Sequence, residues 1–464
     1  MNATLRTGLR YLLAGLSGLL AAAAFPDLGW WPLILLAPPL LMVALRGAGL
    51  RHGLYLGLLQ GMVCYGTGLS WMTRIFGSGA LVLWFLMAAY GMLGGGLIGW
   101  ASLRHARWPW LAGSAALWVS ALEFVRAEVS WLAFPWFTYG LGLGPTWISP
   151  WIGVYGAGLL VVLAGTLVVF GARKQRLGGL ALGLALIGLG CFRPPPVVAD
   201  DPGIPVLAVQ SEHCDFYRYL DLTAAHPFQN GIILWPEYAT VFELKTDPIA
   251  YAKALALVQE RHATLVLGTQ QAAANEAHYN HALTLESAGP VGSHHKNHPV
   301  PFMDDGLPGT ATVPAATRFG RIATPICFDC DYSDTARRFT AAGAEAFAVP
   351  SMDASGWSAK QHAQHAELFR HRALENGRWM VVCATSGLTQ LIDPHGNRRA
   401  RLPLLQDGVL ETKLHLRHDL TFFTRIGWGL PWVSCGLALM SAAWAVWRGH
   451  RHLDSPPGGC ESPL

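Results

Sequence analysis

The run Thr324-Pro325-Ile326-Cys327-Phe328-Asp329 closes a short apolar segment that begins at Arg321, and it sets a thiol at the end of an expected strand. Working outward, short β-rich runs recur at 204–210, 231–237, 264–270, 281–286, 321–328, 346–351 and 379–385. Helices are expected at 248–261, 334–342 and 361–376, the last because His362, His365, Phe369 and Arg372 recur at helical spacing. Strands and helices mixed in this way over 200–420 read as an α/β sandwich. Such sheets gather their chemistry at strand ends. Two further reactive residues lie there: Glu237 in Leu234-Trp235-Pro236-Glu237 and Lys296 in His294-His295-Lys296-Asn297-His298. A Glu, a Lys and a Cys make a self-sufficient set for acyl transfer. The thiol must lose its proton to attack a carbonyl, a carboxylate can accept that proton, and an ammonium can stabilise the oxyanion. Singly, each has a plainer role: a solvated strand-end Glu, a surface Lys, a packed Cys. Only the three together carry the chemistry.

The remainder of the chain has a different composition. Of 464 residues 52% are hydrophobic and only 13% charged, with 19 Trp and a mean hydropathy of +0.32, whereas a soluble domain carries about 25% charge. From Met1 to Phe192 the only carboxylates are Asp27, Glu123 and Glu128. The protein is therefore expected to be a membrane portion carrying one water-exposed domain. Windows long enough to span a bilayer fall near 8–25, 29–45, 53–72, 80–100, 110–126, 150–171, 177–192 and 426–447. The first could also be read as a cleavable signal peptide, but further spans follow it directly. Every second connection is basic: Arg6/Arg10, Arg46/Arg51, Arg104/Arg107, Arg173/Lys174/Arg176 and Arg448/Arg451. By the positive-inside rule, seven spans that start inside leave the 200–420 domain outside, and an eighth returns the C-terminus to the cytoplasm. The Trp-rich stretch from Trp131 to Trp151 reads as an interfacial belt or re-entrant loop, and Glu123 with Arg126 as an i,i+3 ion pair or a polar wall of a site at the membrane surface. The organisation expected is a membrane domain over 1–196, an external domain over 200–420, a terminal span at 426–447 and a tail over 448–464. The net charge of +4 is spread as punctuation between apolar runs, which argues against nucleic acid as a partner.

The Glu-Lys-Cys set in this context resembles the nitrilase superfamily and, within it, the apolipoprotein N-acyltransferase family. The resemblance is carried in the membrane part by Phe25-Pro26, Trp31-Pro32, the run from Gly57 to Trp71, Glu123-Phe124-Val125-Arg126, Phe134-Pro135-Trp136 and Gly153-Val154-Tyr155-Gly156. It continues through Trp235-Pro236-Glu237, Tyr279-Asn280, Lys296 with Val300-Pro301-Phe302, Ile326-Cys327, Gln361-His362, Arg372-Ala373-Leu374-Glu375 and Asp393-Pro394-His395-Gly396. It implies a polytopic α-helical membrane domain of about eight spans plus a nitrilase-like αββα sandwich. It also implies catalysis by Glu237, Lys296 and Cys327. The acyl donor would be a phospholipid and the acceptor the N-terminal amine of a diacylglyceryl-Cys lipoprotein. The enzyme would be a monomer of the bacterial inner membrane with its catalytic domain on the periplasmic side, using no metal or organic cofactor. Three departures stand near the expected site: Met303-Asp304, Phe328-Asp329 and the segment from Ser351 to Trp357. Trp235, Asp304, Phe328, Asp329 and Trp357 are accordingly expected to bind substrate or support the site. An extra carboxylate of the family falls on Asp304 or its neighbour Asp305, with Asp304 the choice carried forward.

Other readings compete for the same residues. Cys327 and Cys330 form a C-x-x-C, elsewhere a redox pair or half a zinc site, but no thioredoxin-like unit surrounds it. His294, His295, His298, His362 and His365 could offer imidazoles to a metal, yet no partner stands at a recognised spacing. A membrane-bound nitrilase-like amidase, a transferase with another amine acceptor and a non-catalytic scaffold are the alternatives to lipoprotein acylation.

Overall fold

A computed structural model describes residues 3–104, 110–213 and 215–451. Arg107 and most of the expected tail lie outside the described residues.

Among the described residues, twelve strands build two six-stranded sheets. The first contains β1 (Ile204–Gln210), β2 (Ile232–Leu234), β3 (Thr264–Ala272), β4 (His278–Glu286), β5 (Gly289–His295) and, returning late in the chain, a strand at Gly408–Leu414. The second contains β6 (Ala315–Thr317), β7 (Gly320–Ala323), β8 (Ala346–Ser351), β9 (Met380–Ala384), β10 (Gln390–Ile392) and β11 (Arg398–Arg401). With Gly408–Leu414 as β12, the orders are β12-β1-β2-β3-β4-β5 and β11-β10-β9-β8-β7-β6, parallel within β1-β2-β3 and β7-β8-β9 and antiparallel elsewhere.

Period-two alternation decides the layers. Val206, Ala208, Ile232, Leu234 and Val266 face Ile322, Ala346, Ala348 and Val381 between the sheets. Their neighbours Leu207, Val209, Ile233 and Leu265 turn outward onto helices Phe216–Ala224 and Pro248–Glu260. Phe347, Val349, Met380 and Val382 turn onto Ser333–Ala341 and Ala359–Asn376. The result is the αββα sandwich expected from sequence. The expected strand 321–328 is cut short at Ala323, because Pro325 has no N–H to give a ladder and the chain leaves the sheet there.

Helices cover all eight expected windows: Ala3–Ala23, Trp31–Leu35 running into Ala37–Leu45, Gly49–Gly68, Gly79–Arg104, Leu111–Phe124, Ser149–Phe170, Arg173–Cys191 and Gly429–Arg451. Among the described residues three stretches are long and apolar enough to cross a bilayer: Gly79–Arg104, Ser149–Phe170 and Phe423–Arg448. Helices Gly49–Gly68 and Gly79–Arg104 touch backbone to backbone. A Cβ at Gly57 would lie 2.1 Å from the Gly91 carbonyl oxygen and one at Gly53 2.3 Å from that of Gly95, the small-residue packing that suits helices in lipid.

The α/β domain is fastened to this platform by buried polar contacts. Trp136 Nε1 donates to Asp331 Oδ2 at 2.5 Å and Trp71 Nε1 to Gln364 Oε1 at 2.9 Å. The Ser333 amide and the Tyr155 hydroxyl both donate to Glu128, at 3.0 and 2.7 Å, and the Val154 amide donates to Glu375 at 2.8 Å. The ion pair expected between Glu123 and Arg126 does not form. Glu123 instead accepts from the Tyr139 amide at 2.9 Å, and Arg126 donates to the carbonyls of Phe134 and Trp136 at 2.7 and 2.9 Å. Arg126 thereby shapes the loop before Tyr139, and it lines the cleft described next.

Candidate active site

Three loops at the ends of parallel and antiparallel strands deliver the reactive groups. The chain leaves β2 at Leu234, and Pro236 turns it so that Glu237 enters the interior, 1% exposed, while Tyr238 takes a left-handed φ of 52°. β5 runs into Lys296, whose amide donates to the Asn280 carbonyl at 2.9 Å and whose side chain is also 1% exposed. After β7 the chain reaches Cys327, which has φ 48° and begins a tight turn over Cys327–Cys330. A left-handed φ at a residue with a side chain is strained, and it turns the thiol off the sheet edge.

Lys296 Nζ lies 2.7 Å from Glu237 Oε1 and 2.7 Å from Asp305 Oδ2. Asn280 Nδ2 bridges the same two carboxylates, donating to Glu237 Oε1 at 2.6 Å and to Asp305 Oδ1 at 2.7 Å. Asp305 also accepts from the Tyr238 hydroxyl at 3.1 Å and the Val300 amide at 2.7 Å. Glu237 Oε2 is buried and has no hydrogen-bond partner among the described residues, so one carboxylate oxygen stays free to take a proton. The Cys327 thiol donates to the Met352 carbonyl at 3.4 Å.

Electrostatics follow from burial and these partners. Burial pushes Glu237 above its ordinary value, partly offset by Lys296. Burial works against the Lys296 charge, but Glu237 and Asp305 outweigh it and hold the ammonium well above its ordinary value. Burial, reinforced by the charge of Glu237 and opposed by Lys296, keeps the Cys327 thiol protonated at rest. The set is thus a neutral thiol beside an ammonium and a carboxylate with one unused oxygen.

The remaining expected residues sort by position. Asp305, and not Asp304, joins the cluster: Asp304 is exposed, because the chain reverses after Phe302 (φ 66°) and the next residue is the one that turns inward. Trp235 does not reach the site. It continues the outward face of Ile233, stacks on Tyr219 at 5.5 Å and donates to the Thr223 hydroxyl at 3.1 Å, so it belongs to the sheet-helix core. Asp329 is a clamp between two active loops. It accepts from the amides of Asn297 and His298 at 2.9 Å each, from the Ile326 amide at 3.1 Å, and pairs with His294 at 2.8 Å. Phe328, Met303 and Trp357 line the cleft above Cys327.

The imidazoles are each engaged separately. His295 stacks on Tyr279 and bonds Gln271 at 2.7 Å, His298 stacks on Tyr332 at 3.7 Å, and His362 bonds the Ala354 carbonyl at 3.1 Å. His365 pairs with Asp353 at 2.7 Å and Asp331 at 3.3 Å. The second thiol of the C-x-x-C, Cys330, is free and packs with Ala336, Phe339 and Phe369. Sequence reasoning assigned no role to Tyr238 or Asp331, weighed His365 only as a helix-face residue and a metal imidazole, and met Asp353 only within the Ser351–Trp357 segment. Asn280 was visible only as part of a motif.

The cleft that ends on Cys327 has a cavity volume of about 140 Å³, opens outward and is mostly apolar. Trp71, Phe76, Leu83, Met87 and Phe134 wall it from the membrane side, and Phe302, Phe328 and Trp357 from the α/β domain. An apolar cleft with a few convergent polar groups is the usual form of a small-molecule site.

Residues 17–167 match the model of the apolipoprotein N-acyltransferase N-terminal domain, and residues 218–418 that of the carbon-nitrogen hydrolase. Apolipoprotein N-acyltransferase from Azotobacter vinelandii (strain DJ) is 29% identical, with 97% of this chain and 97% of that one covered. The protein of that name from Pseudomonas aeruginosa is 28% identical, covering 94% and 95%. Among solved structures, an amidase from Nesterenkonia sp. is similar over 51% of this chain and 99% of its own, at 18% identity and a TM-score of 0.41. With both models matched in succession and whole-length relatives of one name, the chain belongs to the apolipoprotein N-acyltransferase family.

Proposed function

We propose that this protein moves an acyl chain from a phospholipid to the N-terminal amine of a diacylglyceryl-Cys lipoprotein, through a thioester on Cys327. The observation that carries the reading is the apolar cleft, walled by helices of the membrane part and ending on Cys327, behind which the buried Glu237-Lys296 pair acts on the thiol. Water-soluble substrates have no need of such a wall.

In the first half-reaction Glu237 takes the thiol proton, Sγ attacks the ester carbonyl of the donor, and Lys296 Nζ holds the developing oxyanion. The tetrahedral adduct collapses, and Glu237 returns the proton to the leaving glycerol oxygen. A thioester and a lysophospholipid result. In the second half the lipoprotein amine attacks the thioester, Glu237 takes a proton from nitrogen, and the thiol is restored as the amide forms. Kinetics are ping-pong. Asp305 and Asn280 position Lys296 and Glu237, Asp329 positions the two loops, and neither a metal nor an organic cofactor enters a step.

Eight spans with both termini in the cytoplasm put the α/β domain outside the inner membrane, where lipidated N-termini stand. The basic connections support this orientation, and exposed Trp131, Trp147 and Trp151 fit a belt at the interface. The enzyme acts as a monomer, since one chain supplies every group named.

Intact-protein mass spectrometry after incubation with phospholipid alone should show an increase of one acyl chain, absent in Cys327→Ala. A diacylated lipopeptide with a free N-terminus should then be converted to its triacylated form. Turnover without any adduct would overturn the covalent scheme. Free fatty acid released equally with and without lipopeptide would make the protein a hydrolase.

A further inference from the structure

A second cavity lies behind Trp136, whose indole lines both it and the cleft. It has a cavity volume of about 320 Å³ and opens outward at the seam between the membrane helices and the α/β domain. Phe25, Phe137, Leu141 and Leu368 form an apolar side, and Arg193, Arg370, His371 and Asn397 a polar one that also holds the carboxylate of Glu367.

Positive charge on that side exceeds its partners. Arg193 donates to the carbonyls of Pro145 and Leu143 at 2.5 and 2.8 Å and lies over the Trp31 ring, but among the described residues no carboxylate is within ion-pair distance of it. Arg370 pairs with Glu367 at 2.6 Å, and Glu367 must also answer Arg398 at 2.9 Å. His371, 2% exposed, has no hydrogen-bond partner at Nδ1 among the described residues. Burial first, and then the neighbouring guanidiniums, hold His371 neutral, and burial together with the charge of Arg370 brings Arg193 down to about 10. Two guanidiniums that share one carboxylate with Arg398 and an imidazole with an idle nitrogen are the arrangement an anion relieves.

We infer that this cavity is a second phospholipid site, separate from the cleft, with the phosphate on Arg193, Arg370 and His371 and an acyl chain along Phe25, Phe137, Leu141 and Leu368. A free inorganic anion would use the polar side and leave the apolar one unfilled. The site rests on the reading that this seam lies at the membrane surface. Trp136 is the wall common to both cavities. Its Nε1 bond to Asp331 and its stacking on His365 at 5.9 Å link the second lipid to the frame of the catalytic cleft.

The test is photo-labelling of the full chain in detergent with phosphatidylglycerol that carries a diazirine in one acyl chain, with labelled peptides mapped by mass spectrometry. Label is expected on the peptides holding Phe25 and Leu368 as well as in the cleft. Diacylglycerol with the same chain should label the second cavity about tenfold less, because it lacks the charge-assisted bonds. Arg370→Gln and Arg193→Gln should lower that label similarly while leaving cleft label unchanged, and excess inorganic phosphate should not displace it. Should Arg193→Gln fail to fold, the comparison of the two lipids on the unaltered protein still decides. Equal labelling by diacylglycerol, displacement by inorganic phosphate, or no label near Leu368 would each overturn the site. Acylation of Cys327 in the same sample reports separately on the proposed catalysis.

Discussion

Gly268, on β3, tests how closely Glu237 must be held. A Cβ there would stand 2.4 Å from Glu237 Cα and 2.6 Å from both the Pro236 carbonyl oxygen and the Tyr238 amide nitrogen. All three are backbone atoms of the turn that carries the proposed base, so no side chain can swing aside. Gly268 itself does not have a left-handed φ, so Gly268→Ala tests sterics and not backbone strain. Ordinary contact begins near 3.4 Å, which requires the turn to move by about 1 Å, and a displacement of that size costs on the order of 100-fold in rate. The 2.6 and 2.7 Å bonds to Asn280 and Lys296 would stretch past useful length. Overpacking should also cost about 1–3 kcal/mol of stability. The assay is the single-turnover rate of Cys327 acylation by phospholipid, followed by intact mass, beside a thermal melt. Gly356→Ala is the control, because nothing lies within 4 Å of a Cβ at that exposed position. A Gly268→Ala enzyme that acylates at the unaltered rate would refute the claim that this contact sets the position of Glu237.

Asp305→Asn should slow acylation by at least about tenfold and destabilise by about 1–3 kcal/mol, because it removes one of the two carboxylates on a buried ammonium. Asp304→Asn, on an exposed residue, should leave both unchanged, and the reverse pattern would restore Asp304 to the site. Burial alone would lower the His365 pKa, but Asp353 and Asp331 outweigh it and raise it from 6.5 to about 10. The resulting stability is complete below about pH 6.5 and is lost as pH rises through about 10, so melts between those values should fall in the parent and flatten in His365→Gln. A Cys placed at exposed Ser355 should react with a membrane-impermeant maleimide added outside the inner membrane, whereas one at exposed Lys174 should not. The opposite labelling would invert the proposed topology.

Legibility in the sequence followed how local each determinant is. Ile204–Gln210 and Ala346–Ser351 were read to the residue, since buried β runs between polar segments announce themselves. β5 was missed because Gly289-Pro290-Val291-Gly292-Ser293-His294-His295 carries no apolar pattern of its own, and its extension is imposed by pairing with β4. Helix Phe216–Ala224 was missed for a related reason: only Phe216, Tyr219 and Thr223 are buried, a sparse stripe among polar residues. The grouping of Glu237, Lys296 and Cys327 was legible because their residue types form one chemistry, but the choice between Asp304 and Asp305 turns on a single left-handed residue that propensity does not forecast. Trp235 shows the opposite case. Alternation from Ile233 was enough to place it on the helix side, and its nearness in sequence to Glu237 obscured that.

The charges also fix when the thiol becomes reactive in the proposed reaction. A buried neutral thiol, with its proton on the Met352 carbonyl, is a weak nucleophile. Attack must therefore coincide with transfer of the proton to Glu237, whose own affinity for a proton burial has already raised. While Glu237 is charged, it accepts from the Lys296 ammonium at 2.7 Å and absorbs part of its field. Once Glu237 is protonated that absorption ends, and Asp305 still keeps Lys296 charged. The ammonium then meets the oxyanion that formed in the same event. One proton movement thus both generates the nucleophile and releases the electrophilic partner, so neither acts before a carbonyl is in place.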